Sequence, residues 1–270
     1  MRPITLTASY YQQFDADYTR PIPGEGYGGW QQTPLTLALE HTALVVMHAW
    51  NHGRQESVPG WYRAVEYIPR SNAILCNVFP PLLAAVRAAG LTLLHVVGGG
   101  DYYSHLPGYQ RAVALAGPEP ELPRLPSDPT LDALRAFRRR AVFVGEHNEA
   151  DVGRGFGDLD FAEAARPQGD EGIAENAHQL AALCAGSGIN HLIYAGFAVN
   201  WCLLMSPGGM VHMNRRGVMC SVLRQAVTAV ENRESARGEA HKEEALWRIA
   251  LAFGFVFEAD ELVIRLKETA

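Results

Sequence analysis

Short apolar runs separated by helical segments are the feature of this chain that most constrains its fold. Residues 42–47 and 192–195 are apolar runs of strand length, and residues 91–97 predict a second strand. Such runs are typical of parallel strands that are covered on both faces of a sheet. Residues 74–89 and 174–185 lie between them and have helical apolar spacing. This alternation predicts βαβ units and therefore a three-layer α/β/α sandwich around a six-stranded, mostly parallel, Rossmann-like sheet.

The predicted sandwich fills one domain, residues 35–270, of the 270-residue chain. Residues 1–34 are rich in Tyr, Gln, Pro and Gly, which predicts an extended N-terminal arm that either wraps a neighbouring subunit or stays disordered. A long inserted region spans about residues 98–172, with a short strand expected at 141–144. Its second part, 145–172, holds many Gly and Asp residues and predicts a surface excursion of the kind that often forms a functional lid.

Composition argues against several classes of partner. The net charge is -6 with no dominant basic patch, so nucleic acid is not expected. We find no membrane-length apolar run and no N-terminal secretory pattern. The four cysteines are far apart and form no CxxC pair, which predicts neither disulfides nor a cysteine-based zinc site. The expectation is a cytoplasmic homo-oligomer that uses a small-molecule substrate and no cofactor.

Cys202 is the strongest candidate for chemistry. An apolar strand stops at Gly196, a short turn follows, and Cys202 opens the next apolar stretch. A turn from a strand into a helix leaves backbone N–H groups free, and these favour a thiolate. The alternative is a small buried core cysteine. Ligands in parallel sheets bind at the carboxyl ends of the strands, where His48, Gly98 and the 196–202 turn are expected to meet.

Three segments resemble the isochorismatase-like cysteine hydrolases, which include isochorismatases, nicotinamidases and N-carbamoylsarcosine amidohydrolases. Residues 43–51, Ala-Leu-Val-Val-Met-His-Ala-Trp-Asn, resemble the family's first strand. Residues 82–95 are similar to its first helix and second strand. Residues 196–202, Gly-Phe-Ala-Val-Asn-Trp-Cys, resemble the nucleophile turn. The resemblance implies the family fold, a cis peptide at 197–198 or 198–199, and Cys202 as the nucleophile.

The same resemblance implies an Asp–Lys–Cys catalytic set, of which only the cysteine is present. His48 stands at the Asp position, and Val199 replaces the threonine of the turn. No lysine precedes Lys242, and Arg166 is the nearby cation. These departures predict weak or no hydrolysis of nicotinamide or isochorismate.

His48 has two possible functional roles, and each has a non-functional alternative. It is a competent base for Cys202, as in other Cys–His pairs, or a hydrogen-bonded core histidine in a dead site. His48 and His52 also have a ligand spacing, but the family's metal pattern is not visible, so we predict no metal.

The predicted substrate-binding residues are Trp50, Asn51, Ala198, Val199 and Trp201. The tryptophans suit either a pocket for a planar ligand or a subunit interface. The sequence therefore predicts a cysteine hydrolase that acts on a small amide or related metabolite through Cys202. Two alternatives stay open: a catalytically impaired pseudoenzyme that binds a small planar metabolite, and a purely structural oligomer subunit.

Overall fold

A single sheet of eight strands runs through the protein. The structure is a computed structural model, and it describes residues 3–269. The strand order is β2-β1-β8-β7-β6-β3-β4-β5. The strands are β1 (Ile4–Gln12), β2 (Gly29–Leu37), β3 (Thr42–Met47), β4 (Thr92–Val96), β5 (Gly172–Ala174), β6 (His191–Phe197), β7 (Met219–Thr228) and β8 (Val256–Phe257).

Helices cover both faces of this sheet. They are α1 (Pro59–Ala64), α2 (Ile68–Asn77), α3 (Phe79–Ala88), α4 (Pro107–Ala116), α5 (Pro129–Ala141), α6 (Glu149–Gly157), α7 (Ala177–Ser187), α8 (Cys202–Met205), α9 (Met210–Asn214), α10 (Ala240–Ala252) and α11 (Ala259–Lys267). Alternate residues of β3 enter opposite cores: Leu44 and Val46 pack with α3 and α11, whereas Val45 and Met47 pack with α7 and α10. The predicted three-layer, mostly parallel sandwich is confirmed.

The predicted strand count of six is wrong, because the N-terminal segment supplies two more strands. The part of the predicted arm that is described forms an antiparallel hairpin, β1–β2, and residues 1–2 lie outside the described residues. Strand β1 also pairs with β8 in antiparallel orientation. Ile4, Leu6 and Ala8 alternate with polar residues and are buried, which is the period of a half-buried strand. The Tyr, Gln and Gly content of the segment masked that alternation.

The inserted region differs from its prediction in two places. The strand expected at 141–144 is wrong: α5 ends at Ala141, and Val142 and Phe143 lie exposed in the following turn, with no strand beside them. The surface excursion 145–172 contains α6, whose Val152 is buried. By contrast, the break expected within 74–89 is present, since α2 ends at Asn77 and α3 begins at Phe79, with Pro80 in its first turn.

A partly buried group of hydrogen-bonded side chains links the end of the inserted region to the sheet. His95 of β4 contacts Glu171 at 2.9 Å, and Arg87 of α3 contacts the same carboxylate at 2.7 Å. Burial raises the pKa of Glu171, but the hydrogen bonds from His95 and Arg87 outweigh it and lower the pKa to about 2. The pairing holds β5 against β4. None of the helices in the described part of the chain is long and apolar enough to cross a bilayer.

Gly196 lets β6 approach β3 closely. Its φ is +125°, and a Cβ atom at this position would lie 1.9 Å from the Met47 carbonyl oxygen. We expect Gly196→Ala to lower the free energy of unfolding by about 3 kcal/mol or more, because the clash is with backbone in the centre of the sheet. Urea unfolding followed by circular dichroism measures this change.

Gly186 provides the matched control. It lies inside α7, where an added Cβ meets only Leu115, at 3.9 Å. Gly186→Ala should raise the free energy of unfolding by up to about 1 kcal/mol, since alanine is the better helix former. Equal effects of the two substitutions would contradict the close approach at Gly196.

Candidate active site

The candidate nucleophile and the candidate base follow neighbouring strands. Strands β3 and β6 are parallel, and Met47 pairs with Gly196. His48 is therefore the first residue beyond β3, and the 198–201 turn begins just beyond β6. The register places both residues at the carboxyl edge of the sheet, where parallel sheets bind ligands.

The turn before Cys202 is fixed by its own backbone. The Val199 N–H donates to the Thr228 carbonyl at the end of β7, and the N–H groups of Trp201 and Leu203 donate to the Ala198 carbonyl. Within residues 3–269, the N–H groups of Asn200 and Cys202 have no acceptor. They are free to bind an oxyanion. The Phe197–Ala198 peptide is cis, at one of the two positions that the resemblance implies.

His48 is held in an unusual backbone conformation. Its φ is 50°, in the left-handed region that non-glycine residues seldom adopt. Its N–H donates to the Val96 carbonyl, and its own carbonyl accepts from the Trp50 N–H, both at 3.0 Å. These two bonds tie the residue to the end of β4 and direct its side chain by backbone geometry.

The His48 imidazole is buried and electrically neutral. Burial lowers the pKa of His48 to about 4, and the hydrogen-bonding backbone of Val97 opposes this only in part. Its Nδ1 atom is fully enclosed and has no hydrogen-bond partner among residues 3–269. In the same range, no hydrogen bond joins this ring to the Cys202 sulfur. The paired role of Cys202 and His48 therefore stays a prediction.

Aromatic side chains cover the His48 ring. Trp50 stacks on it with the ring centroids 4.5 Å apart, and the Trp50 Nε1 donates to the Tyr102 hydroxyl at 2.9 Å. Phe156 of α6 lies edge-on to Trp50 and against Trp61. The excursion predicted as a lid thus places Phe156 in the aromatic group above His48.

The five predicted substrate-binding residues are not all on one surface. Trp50 packs on His48, and exposed Asn51 accepts a hydrogen bond from the Gly53 N–H. The side chains of Ala198 and Val199 are buried in opposite cores, which leaves only their backbone for a ligand. Trp201 is exposed and lines a cavity of about 840 Å³, together with Asn200, Met205 and Phe253.

The fold of this chain is similar to that of a solved cysteine hydrolase. A cysteine hydrolase from Pseudomonas syringae pv. phaseolicola 1448A has a TM-score of 0.52 at 16% identity, over 87% of this chain and 96% of that one. The chain has the isochorismatase-like fold. An isochorismatase family protein from Burkholderia thailandensis is 17% identical over 84% of this chain and 96% of that one, with a TM-score of 0.47. No protein-family model matches the chain, and no curated protein matches it in sequence.

Two arginines of this isochorismatase-like fold, Arg166 and Arg70, are engaged in ion pairs. Arg166 pairs with Asp160 and Glu163 at the surface. Arg70 was not singled out from the sequence; it donates to the Thr228 hydroxyl and to Glu66, beside the strand end that holds the Cys202 turn. Both guanidinium groups are therefore committed to neighbouring carboxylates.

Tyr67 is a buried tyrosine that sequence analysis did not single out. It immediately precedes α2, and its ring is buried in the core cluster that contains Phe197 and Ala198. Burial raises the pKa of Tyr67 well above its ordinary value, and the charges of Cys202 and Glu66 add to the increase. No sequence pattern marks this tyrosine, because its position depends on how α2 packs over β7.

Among residues 3–269, no group of three or more His, Cys, Asp or Glu side chains is arranged to hold a metal ion.

We expect the His48 imidazole to stay neutral down to about pH 5. Because its pKa is about 4 in the folded chain and about 6.5 when unfolded, the unfolded chain binds the proton first as pH falls. The stabilising contribution is complete above about pH 6.5 and declines towards pH 4, by at most about 1.4 kcal/mol per pH unit. Imidazole ¹⁵N NMR, assigned with His48→Gln, measures the pKa. A midpoint near 6.5 would show that the ring is solvated instead.

Proposed function

We propose that the chain is a cysteine hydrolase of the isochorismatase-like family that cleaves a small amide or a related metabolite. Cys202 is the nucleophile, and His48 replaces the aspartate base that the resemblance implies. The supporting observation is the pairing of Met47 with Gly196, which brings a half-buried thiol and an imidazole with an unpartnered nitrogen to one sheet edge.

The reaction follows from these groups. Neutral His48 accepts the thiol proton, and the Cys202 sulfur forms a bond to the substrate carbonyl carbon. The N–H groups of Asn200 and Cys202 stabilise the resulting oxyanion. His48 then gives its proton to the leaving amine as the C–N bond breaks, and water hydrolyses the thioester through the same steps.

The environment of His48 limits the rate of this chemistry. A base with a pKa near 4 takes a proton from an ordinary thiol only against a large free-energy difference. We therefore expect weak or no hydrolysis of nicotinamide and isochorismate. Trp50 and Asn51 stay candidates for binding a small planar substrate, and Ala198, Val199 and Trp201 stay candidates through their backbone.

The aromatic cover over His48 favours a second candidate function. Trp50 stacks on the His48 ring and is held by Tyr102 and Phe156, and this aromatic surface suits a planar metabolite without any use of His48 as a base, as expected of a pseudoenzyme. The two candidates differ in whether Cys202 becomes acylated. Homo-oligomer formation, a cytoplasmic location and the absence of nucleic-acid and membrane partners stay predictions.

The order in which the four cysteines react shows whether Cys202 is activated or whether solvent exposure alone sets thiol reactivity. Cys76 is exposed, Cys202 is half-buried, and burial raises the pKa of both Cys184 and Cys220 to about 12. We expect Cys202 to react fastest with iodoacetamide, because the free N–H groups of the turn stabilise the attacking sulfur, whereas exposure alone favours Cys76. Brief labelling of the folded protein followed by peptide mass spectrometry gives the order. Faster labelling of Cys76 would support the pseudoenzyme.

Two histidine variants test the base. We expect His48→Asn to slow acylation of Cys202 by 4-nitrophenyl acetate roughly 100-fold, since general bases contribute about 10²–10⁴. His52→Asn is the control, because burial also lowers the pKa of His52 to about 4 and its Nδ1 is likewise enclosed without a partner in the described chain. Stopped-flow release of nitrophenolate measures both rates, and Cys202→Ala sets the background. Equal losses in the two variants would rule out a specific role for His48.

A further inference from the structure

The turn that follows β6 is held by residues at and beyond the end of β7. Backbone pairing of the two strands ends at Phe197 and Thr228. Beyond that pair, the Val199 N–H donates to the Thr228 carbonyl at 2.9 Å. The Asn200 Nδ2 then donates to the Val230 carbonyl at 2.8 Å, and the Asn200 Oδ1 accepts from the Val230 N–H at 2.9 Å. A side-chain amide thus continues the pairing where the backbone leaves the sheet.

The Asn200 amide takes the place of a backbone peptide group. Two residues that face each other in an antiparallel sheet exchange both N–H···O bonds, and the Asn200 side chain makes the same exchange with Val230. The backbone N–H of Asn200 is therefore not needed for this contact. Neither this N–H nor that of Cys202 has an acceptor within residues 3–269. The exchange leaves two backbone donors unused next to the candidate nucleophile.

The partner of Asn200 is itself fixed by the residues on either side of it. Arg70 of α2 donates to the Ala229 carbonyl at 3.1 Å. The buried Glu231 carboxylate accepts from two backbone N–H groups at the start of α10, at 3.1 and 3.0 Å. Val230 lies between these two anchored residues, so it gives Asn200 a partner that is tied to two helices.

We propose that Asn200 is a positioning residue whose side-chain amide directs its own backbone N–H and that of Cys202 at the oxyanion formed during attack by Cys202. This inference rests on the proposed function, because it assumes that Cys202 is the nucleophile. In that step the Cys202 sulfur forms the C–S bond, and the π electrons of the substrate carbonyl move to oxygen, where the two N–H groups donate. Collapse of the intermediate restores the carbonyl and expels the leaving group with its bonding electrons. Asn200 exchanges no proton.

The role requires donors that are in place before the charge develops. Hydrogen-bond donors accelerate such a step because they are already aimed at the oxyanion and need no rearrangement during the reaction. A displacement of about 1 Å costs roughly 10²-fold in rate. Asn200→Ala removes both bonds to Val230 but keeps every backbone N–H, so it tests the position of the donors rather than their presence.

Two reactions of the same thiol separate positioning from a structural role. Acylation of Cys202 by 4-nitrophenyl acetate develops an oxyanion, whereas alkylation by iodoacetamide does not. Both rates are measured at a pH where alkylation of Cys202 has reached its plateau, so that neither thiol ionisation nor the His48 base enters the comparison. We expect Asn200→Ala to slow acylation roughly 10- to 100-fold and to change alkylation less than about threefold, since loss of one oxyanion donor costs about 10²–10³ in rate. Stopped-flow absorbance, with Cys202→Ala as background, and peptide mass spectrometry measure the two rates.

Asn176→Ala is the stability control. The Asn176 side chain caps α7 by accepting from the Gln179 N–H at 2.9 Å. Loss of this cap should lower the melting temperature and leave the ratio of acylation to alkylation unchanged. Asn200→Ser repeats the test if Asn200→Ala does not fold, because it keeps a small polar side chain but lacks the amide that makes the two-bond exchange.

Three results would overturn the positioning role alone: unchanged acylation in a folded Asn200 variant, equal slowing of acylation and alkylation, or failure of both Asn200 variants to fold. Failure of the wild-type protein to acylate Cys202 would instead overturn the proposed function and this inference with it.

Discussion

The close approach of β3 and β6 at Met47 and Gly196 is the constraint on which the candidate site depends. A side chain at Gly196 would occupy the position of the Met47 carbonyl, so only glycine allows the two strands to end side by side. That register sets where His48 leaves β3 and where the 198–201 turn leaves β6. A wider separation would move the thiol and the imidazole apart, whatever their own chemistry.

Desolvation explains how a histidine can stand where the resemblance implies an aspartate. A buried carboxylate needs a partner cation, and the chain has no lysine before Lys242. A neutral imidazole needs no such partner, and burial keeps the pKa of His48 near 4. Replacing the aspartate and losing the lysine together therefore leaves no unpaired buried charge at this position. The cost is a weak base, so the free N–H groups of the turn become more important for the proposed catalysis.

The inserted region contributes packing side chains next to His48 and contributes none of the proposed catalytic groups. The Arg87–Glu171–His95 group secures its C-terminal end to β4, and Phe156 closes over Trp50. The N-terminal hairpin lies at the opposite end of the sheet order and extends it beyond β8. The hairpin covers the edge strand β8, and the inserted region covers the carboxyl edge of the sheet at His48.

The sequence by itself determined the parallel core and the location of the nucleophile turn. Continuous apolar runs such as 42–47 and the glycine before the turn are local signals, because burial on both faces and tight backbone contact each demand particular residue types at particular positions. The hairpin was missed, since its alternation of Ile4, Leu6 and Ala8 carries no information about which strand it will pair with. Only the tertiary structure decided that Arg70 reaches Thr228 beside the Cys202 turn, that the Val199 side chain enters the core, and that Phe156 packs on Trp50. These placements follow from how distant helices pack on the sheet, and the free energy of such packing depends on contacts between residues far apart in the chain.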